Sequence, residues 1–172
     1  MKHLVIVNPK SFAKESGMLS VIADIRTYFK NAANADYTIY ISRYPRDAIG
    51  VVNDFIKSAN EIVRVYSVGG DGILYDCLNG LVGLPNAELA VIPYGKTDDF
   101  VRAFGEGKNK IFRDIKKQAT ANAIPTDIIS IGNRYALNFC SAGFAPAVEL
   151  KYDEMNKTYP LLVFYKMKIH QI

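Results

Sequence analysis

The sequence predicts an α/β fold in which helices cover a parallel β-sheet. Short apolar, β-branched segments alternate with amphipathic segments of helical period from the first residues onward. A glycine-rich turn, Ser-Val-Gly-Gly-Asp-Gly at residues 67–72, stands between a strand-like and a helix-like segment, which is where parallel sheets bind phosphate. The 172 residues are enough for a domain with a substantial core.

The part of the chain before the glycine-rich turn contains three predicted strands and two predicted helices. The apolar runs predict strands over residues 4–7, 37–41 and 62–68, and the helical spacing predicts helices over residues 18–30 and 46–58. The predicted inward side chains are Leu19, Ile22, Ile25 and Phe29 in the first helix, and Ile49, Val52, Phe55 and Ile56 in the second.

The second half of the chain first continues the alternation of predicted helices and strands and then becomes rich in predicted β-structure. A helix after the turn would bury Ile73, Leu74, Cys77, Leu78 and Leu81, and residues 89–92 form a fourth predicted strand that leads into a second strand-to-helix turn, residues 93–100. A basic helix is predicted over residues 109–119. Residues 126–131 and 134–140 form a predicted hairpin, because only Gly132 and Asn133 separate them. We therefore predict an α/β domain over residues 1–123 and the beginning of a β-rich domain over residues 124–172.

Composition limits the classes of function. The net charge of +4 and isoelectric point near 9.0 favour nucleotides, anionic lipid headgroups or nucleic acid without choosing among them. The basic residues are scattered, so nucleic acid is not a predicted partner. The densest group is interpreted as a solvated helix face, with use against a membrane surface as the open alternative; it consists of Lys108, Lys110, Arg113, Lys116 and Lys117. No apolar run approaches the roughly 20 residues of a membrane span, and the N-terminal segment is too short for a signal peptide. The predicted location is therefore the cytoplasm.

The two cysteines and the apolar segment near residue 172 give weaker indications of cysteine chemistry and of self-association. Cys77 and Cys140 lie far apart in the sequence and are interpreted as reduced core residues without metal-ligand spacing. The apolar, aromatic segment over residues 159–172 favours self-association, so a homodimer stays open.

The glycine-rich turn has the chemistry of an anion site with one exception. Glycine lets a phosphate approach the main chain, and the free N–H groups at a helix start attract anions. Asp71 would repel the phosphate unless a divalent cation or a proton-sharing partner lies between them, which indicates magnesium-nucleotide chemistry. The alternative is that Asp71 only caps the helix. The turns after the first, third and fourth strands should converge on one crevice, with these residues facing it: Asn8, Ser11, Gly69, Gly70, Asp71, Gly72, Gly95, Thr97 and Asp99.

Three segments in this order resemble a known family. They are residues 8–11 (Asn-Pro-Lys-Ser), residues 69–72 with Asn79-Gly80 closing the following helix, and residues 93–103. Together they look like the signatures of the diacylglycerol kinase catalytic domain family, which also includes sphingosine and ceramide kinases. The resemblance implies a parallel-sheet nucleotide-binding domain like that of NAD kinases and diacylglycerol kinases, followed by a C-terminal β-sandwich. It also implies ATP-dependent phosphorylation of a lipid hydroxyl.

The resemblance implies roles residue by residue. Asp71 is the expected catalytic residue, and Asp71, Asp99 and Asp127 match acidic positions tied to Mg²⁺. The expected ATP-binding residues are Asn8, Ser11, Ser42, Gly69, Gly70, Asp71, Gly72, Gly95, Lys96 and Thr97. A lipid such as diacylglycerol at a membrane surface is the implied partner, with a peripheral position at the inner membrane face. In the family, the sandwich supplies most of the lipid site and the general base, and neither is mapped onto this chain.

Five residues depart from the family pattern: Phe12, Ile73, Tyr75, Lys96 and Asp98. Lys96 is interpreted either as a phosphate contact or as the partner of a neighbouring carboxylate.

Two other functions stay open beside a lipid kinase. NAD kinases share the Gly-Gly-Asp-Gly turn, and the altered motif positions also fit a degenerate module that binds a nucleotide without catalysis.

Overall fold

The computed structural model describes residues 1–32 and 35–140 of the chain. Four strands form one parallel sheet in the order β2-β1-β3-β4. They are β1 (Lys2–Val7), β2 (Asp36–Ile41), β3 (Val63–Gly69) and β4 (Ala87–Pro93). Consecutive strands are connected by α1 (Glu15–Asn31), α2 (Asp47–Lys57) and α3 (Asp71–Leu81). The predicted α/β class with a parallel sheet is confirmed.

The core lies on both faces of this sheet. Leu4 and Ile6 of β1 pack with α2 and α3, whereas Val5 and Val7 pack with α1. Successive side chains of a strand point to opposite faces, so the buried strand β1 must be apolar at every position from Leu4 to Val7. All seven residues of β3 are buried, and its neighbours on the two sides are β1 and β4.

The predicted inward face of the first helix needs one correction. The buried side chains of α1 are Met18, Ile22, Ile25 and Phe29, whereas Leu19 is 53% exposed. The observed stripe follows helical spacing from Met18, and Leu19 lies about 100° around the helix from it. In α2 the buried apolar stripe is Ala48, Val52 and Ile56, with the predicted Ile49 and Phe55 half-buried at its edges.

The predicted basic helix over residues 109–119 is two short helices. After α4 (Asp99–Arg102) come α5 (Asn109–Phe112) and α6 (Ile115–Thr120). The break occurs because Asp114 is extended, with ψ 101°, and its side chain accepts a hydrogen bond from the Lys117 amide, which makes it the N-cap of α6.

A buried arginine holds α6 to the sheet. The Arg64 guanidinium donates to the backbone oxygens of Gln118, Ala119 and Ala121 at the end of α6, and pairs with Glu88 on β4 at 2.7 Å. Cations are favourable at helix C-termini, where backbone carbonyls lack partners. Arg64 therefore holds the C-terminal end of α6 against the β3–β4 side of the sheet.

The predicted hairpin is present with shorter strands than expected. Strands β5 (Ile129–Ile131) and β6 (Arg134–Ala136) pair antiparallel. Asn79 on α3 donates to the Tyr135 carbonyl and accepts from the Tyr135 amide, at 2.9 Å each. Because β6 ends at Ala136, Cys140 lies beyond it and is exposed, so the prediction of a core position was wrong for Cys140. It was right for Cys77, which is buried.

The chain divides into two compact units, Met1–Asn138 and Phe139–Ile172. Of the second unit the structure describes residues 139 and 140 only. The predicted boundary after residue 123 and the predicted β-sandwich therefore stay predictions, and the apolar segment over residues 159–172 lies outside the described residues. None of the described helices is both long and apolar enough to cross a bilayer.

Candidate functional site

The strand order places a crevice between the carboxyl ends of β1 and β3. From β1 the chain runs to α1 on one face of the sheet, and from β3 it runs to α3 on the other face. Such a switch point between neighbouring parallel strands leaves a cleft beyond their ends. The turn after β1, residues 8–11, and the glycine-rich turn after β3 therefore lie side by side at this cleft.

Hydrogen bonds join these two turns to the turn after β4. Ser11 Oγ accepts from the Gly70 amide at 3.3 Å. Asp71 Oδ2 accepts from the Thr97 hydroxyl at 2.8 Å, and Asp71 Oδ1 accepts from the Asp99 amide at 3.0 Å. The structure thus brings together the turns after β1, β3 and β4, with Asp71 at their meeting point.

Close packing between the turns explains two of the three glycines in the glycine-rich turn. Gly69 has φ +153°, and a Cβ there would lie 2.8 Å from Ser11 Oγ. A Cβ on Gly70 would lie 2.9 Å from the Cα of Gly95. A Cβ on Gly72, in contrast, would have no atom within 4 Å. The space beside Gly72 is therefore open to a ligand.

Asp71 does not cap the helix that it begins. The N-cap residue of α3 is Gly70, which provides no side-chain hydrogen bond, and the Asp71 carboxylate bonds to Thr97 and Asp99 instead. Within the described part of the chain, the first amides of α3, those of Asp71, Gly72 and Ile73, have no hydrogen-bond acceptor. Unpaired amides at the start of an 11-residue helix form an anion-binding position. The interpretation of Asp71 as a simple cap does not agree with these contacts.

A buried carboxylate lies next to Asp71. Asp98 is buried with φ 49°, and its Oδ1 accepts from the Gly95 amide at 2.8 Å. Burial raises the pKa of the Asp98 carboxyl, and the negative charge of Asp71 raises that pKa further. Like charges this close favour a cation or a proton between them. From the sequence, Asp98 was only a departure from the family pattern, and the tolerance of Asn and Asp for a left-handed backbone was the available signal.

Lys96 lies exposed in the turn after β4. It forms no ion pair with any described residue, and the Asp99 carboxylate is 3.4 Å from Arg102 instead. Of the two interpretations of Lys96, the structure does not form the carboxylate pair, which leaves the ammonium available to an anionic ligand.

A cavity of about 270 Å³ lies beside the turns. Asn8, Ser42 and Gly72 line it together with Arg46. Arg46 was not predicted from the sequence, and its guanidinium pairs with Asp76 at 2.6 Å and lies 4.1 Å from the centre of the Tyr75 ring. Because 30 positions separate Arg46 from Asp76, no local spacing signalled this contact.

The three expected magnesium ligands do not come together. Asp99 is adjacent to Asp71 through its amide, but Asp127 is exposed and has no hydrogen bond or ion pair with residues of the described ranges. In residues 1–32 and 35–140 there is no group of three or more His, Cys, Asp or Glu side chains arranged to hold a metal ion. The role of Asp127 stays a prediction.

Comparisons with known proteins identify relatives of this chain. A diacylglycerol kinase of Bacillus subtilis (strain 168) is 35% identical over 103 residues, which are 59% of this chain and 33% of that protein. A Shewanella frigidimarina protein named "Probable lipid kinase YegS-like" is 35% identical over 94 residues, 52% of this chain and 30% of that protein. A solved structure of a Bacillus anthracis diacylglycerol kinase superposes with a TM-score of 0.63 at 26% identity.

The superposition covers 88% of this chain and 50% of the Bacillus anthracis protein, so the chain spans about half the length of its structural relative. The matches to the two curated relatives cover about a third of each. The family model described as the diacylglycerol kinase catalytic domain matches residues 2–131. The ordered turns, the parallel sheet and this match agree, and the chain belongs to the diacylglycerol kinase catalytic domain family.

Proposed function

We propose that the chain is the ATP-binding part of a lipid kinase that transfers the γ-phosphate of ATP to a lipid hydroxyl. The proposal rests on the start of α3, where the first backbone amides have no hydrogen-bond acceptor among the described residues. The Asp71 carboxylate accepts hydrogen bonds from the Thr97 hydroxyl and the Asp99 amide rather than from its own helix. The names of the relatives, diacylglycerol kinase and lipid kinase, support the choice of a lipid acceptor.

The phosphates of ATP would lie at the start of α3. The amides of Asp71, Gly72 and Ile73 are the donors, and the Lys96 ammonium adds positive charge. Gly69, Gly70 and Gly95 allow the turns to approach one another closely, and Ser11 holds the Gly70 amide. The 270 Å³ cavity beside Asn8 and Ser42 has room for the rest of the nucleotide.

The residues present fit a magnesium ion shared with phosphate. Both Asp71 oxygens accept one hydrogen bond each, and a carboxylate oxygen retains a further acceptor position. Mg²⁺ in kinases is commonly held by one or two carboxylates, with phosphate oxygens and waters completing the shell. Asp71 and Asp99 would be those carboxylates, and the bound ion would neutralise charge on the transferred phosphoryl group.

This chain's own contribution to the reaction is positioning and charge. The α3 amides and Lys96 would hold the phosphates in one orientation, and preorganised donors of this kind stabilise the charge that develops during phosphoryl transfer. The new bond between the lipid oxygen and the γ-phosphorus forms as the bond from that phosphorus to the β,γ-bridging oxygen breaks and ADP leaves. The acceptor hydroxyl loses its proton in this step, and none of the described residues is assigned as its base. Asp71 is the proposed catalytic residue because its carboxylate joins the turns after β3 and β4 beside the unpaired amides.

The partner of the proposed enzyme is a lipid such as diacylglycerol at a membrane surface. We infer a protein peripheral to the cytoplasmic face of the membrane, because the substrate class is a bilayer lipid. Since the chain spans half the length of its structural relative, the activity is proposed for the whole enzyme to which these residues correspond.

The experiment follows labelled phosphate from ATP into two acceptors, diacylglycerol in vesicles and NAD, with Asp71→Asn as the inactive control. Labelled lipid that depends on Asp71 is the expected result. Labelled NAD without labelled lipid would overturn the lipid assignment in favour of an NAD kinase-like activity. ATP binding by the whole enzyme without transfer to either acceptor would contradict catalysis and leave a nucleotide-binding module.

A further inference from the structure

A large apolar cavity lies on the far side of α3 from the 270 Å³ cavity. Its volume is about 610 Å³, within the range of about 300–1,000 Å³ that ligand sites have. The walls come from α3, from β4, which is an edge strand among the described strands, and from the chain between α4 and β6. They include Leu78, Leu89, Phe100, Phe104, Ile111 and Ile124. All of these residues belong to the first compact unit.

The apolar lining extends to the molecular surface. Ile124 is 76% exposed, Phe104 is 51% exposed and Ile111 is 44% exposed. Single exposed apolar residues are ordinary, but a contiguous patch around a cavity marks a binding surface. We call these three residues the apolar rim.

Positive charge is concentrated next to the apolar rim. Residues 102–117 contain six basic and two acidic side chains, a net charge of +4. The whole chain also has a net charge of +4, so the positive and negative charges of all other residues cancel. Lys117 lines the cavity itself, and within the described ranges Lys108, Lys110, Lys116 and Lys117 form no ion pair.

The cavity and the proposed phosphate site share a wall. Val91 and Phe100 line the cavity, and they also line the gap bounded by Gly70, Asp71 and Asp98. The side chains of Val91 and Phe100 would therefore separate a ligand in the cavity from the turn that contains Asp71.

We propose that this face docks on an anionic bilayer, where it binds a phospholipid with an acyl chain in the cavity and its headgroup among the four lysines. The apolar rim matches the acyl region, and unpaired lysines are attracted to anionic headgroups. The proposal rests on the lipid-kinase function for its choice of a bilayer as partner. It adds the surface by which the chain reaches that bilayer.

The first test uses the absence of tryptophan from the sequence. Ile124→Trp places a single fluorophore at the apolar rim, and Leu19→Trp places one on the exposed side of α1 as the matched control. With vesicles of phosphatidylglycerol and phosphatidylcholine, the emission of Ile124→Trp should shift to shorter wavelength and be quenched by lipids brominated on the acyl chain. The emission of Leu19→Trp should stay unchanged.

The second test changes charge. Lys116→Glu with Lys117→Glu should weaken sedimentation with anionic vesicles by at least about tenfold, and added salt should weaken binding of the parent chain. Lys30→Glu with Lys57→Glu makes the same charge change on α1 and α2, on exposed positions that do not line the cavity, and should have a much smaller effect.

Three results would overturn the proposal: equal binding to vesicles of phosphatidylcholine alone, equal effects of the two double variants, or no spectral change in Ile124→Trp. A concentration-dependent shift of Ile124→Trp without vesicles would show a second copy on this face and would also overturn it. The assays contain no nucleotide, so their failure is distinguishable from failure of the proposed ATP chemistry, which is measured separately.

Discussion

The Asp71 carboxylate and the Thr97 hydroxyl are joined by a 2.8 Å hydrogen bond between the turns after β3 and β4. The other oxygen of the same carboxylate accepts from the Asp99 amide. Asp71 is therefore held in one orientation at the start of α3, beside amides that have no acceptor among the described residues. A fixed carboxylate next to an anion-binding helix start suits the magnesium-nucleotide complex that we propose.

Asp71→Asn should weaken ATP binding in the presence of Mg²⁺ by at least about tenfold, which corresponds to about 1.4 kcal/mol. The amide retains the size of the side chain and can still accept one hydrogen bond, so the fold should persist. Calorimetric titration measures the affinity, and Asp54→Asn, on the exposed side of α2, is the matched control. Unchanged affinity in Asp71→Asn would contradict the proposed role of the carboxylate.

Gly70→Ala and Gly72→Ala should change stability in opposite directions. At Gly70 the new Cβ would meet the Gly95 backbone at 2.9 Å, and such overpacking costs about 1–3 kcal/mol. At Gly72 there is open space, so alanine should stabilise α3 by up to about 1 kcal/mol. Urea unfolding measures both effects, and equal stability of the two variants would show that the close approach of Gly70 to Gly95 carries no packing constraint.

Gly72→Ala should nevertheless weaken ATP binding, because its Cβ would project into space that the nucleotide occupies in the proposed complex. Titration of this variant with ATP separates stability from binding. A stabilised Gly72→Ala variant with parental affinity would place the phosphates elsewhere.

Asp98→Asn should make the protein more stable at neutral pH than the parent chain. The pKa of Asp98 is raised above its ordinary value of 3.8, so the native state binds this proton more tightly than the unfolded state. Its contribution to stability is therefore lost as pH rises from about 3.8 through the raised pKa. Asparagine retains the acceptor for the Gly95 amide and tolerates the left-handed backbone.

The measurement for this variant is the difference in unfolding free energy between Asp98→Asn and the parent across pH. The difference should be largest at neutral pH and shrink in acid. A difference that does not depend on pH would show that titration of Asp98 has no part in it.

Arg64→Met should cost about 3 kcal/mol, because it leaves Glu88 without its partner and removes the donors to the end of α6. The double variant with Glu88→Met should be less destabilised, since no unpaired carboxylate remains. Urea unfolding of the three proteins tests this. Equal losses in the single and double variants would mean that the ion pair contributes little.

The sheet was predictable from the sequence because its inner strands are buried on both faces. A continuous apolar run such as Leu4 to Val7, bounded by turn residues, is typical of a central strand in a parallel sheet. The prediction failed where one polar residue determined the backbone, as at Asp114, whose cap on α6 interrupts a basic segment of helical period. It also failed at Leu19, because the same period fits two neighbouring stripes of α1.

The candidate site was predictable where it depends on turns and not where it depends on distant pairs. Glycine spacing located the turn at residues 69–72, and the rule for parallel strands brought it to the turns after β1 and β4. The pairing of Arg46 with Asp76 and the contact of Asp71 with Thr97 join residues 30 and 26 positions apart. Only the packing of α2, α3 and β4 determines such contacts.

The most direct measurement is calorimetric titration of the chain with ATP in the presence and absence of Mg²⁺. We expect binding that strengthens with Mg²⁺, because Asp71 and Asp99 repel the phosphates until a cation lies between them. ATP binding of equal strength with and without Mg²⁺, or no binding in either condition, would contradict the assignment of this crevice as a magnesium-nucleotide site.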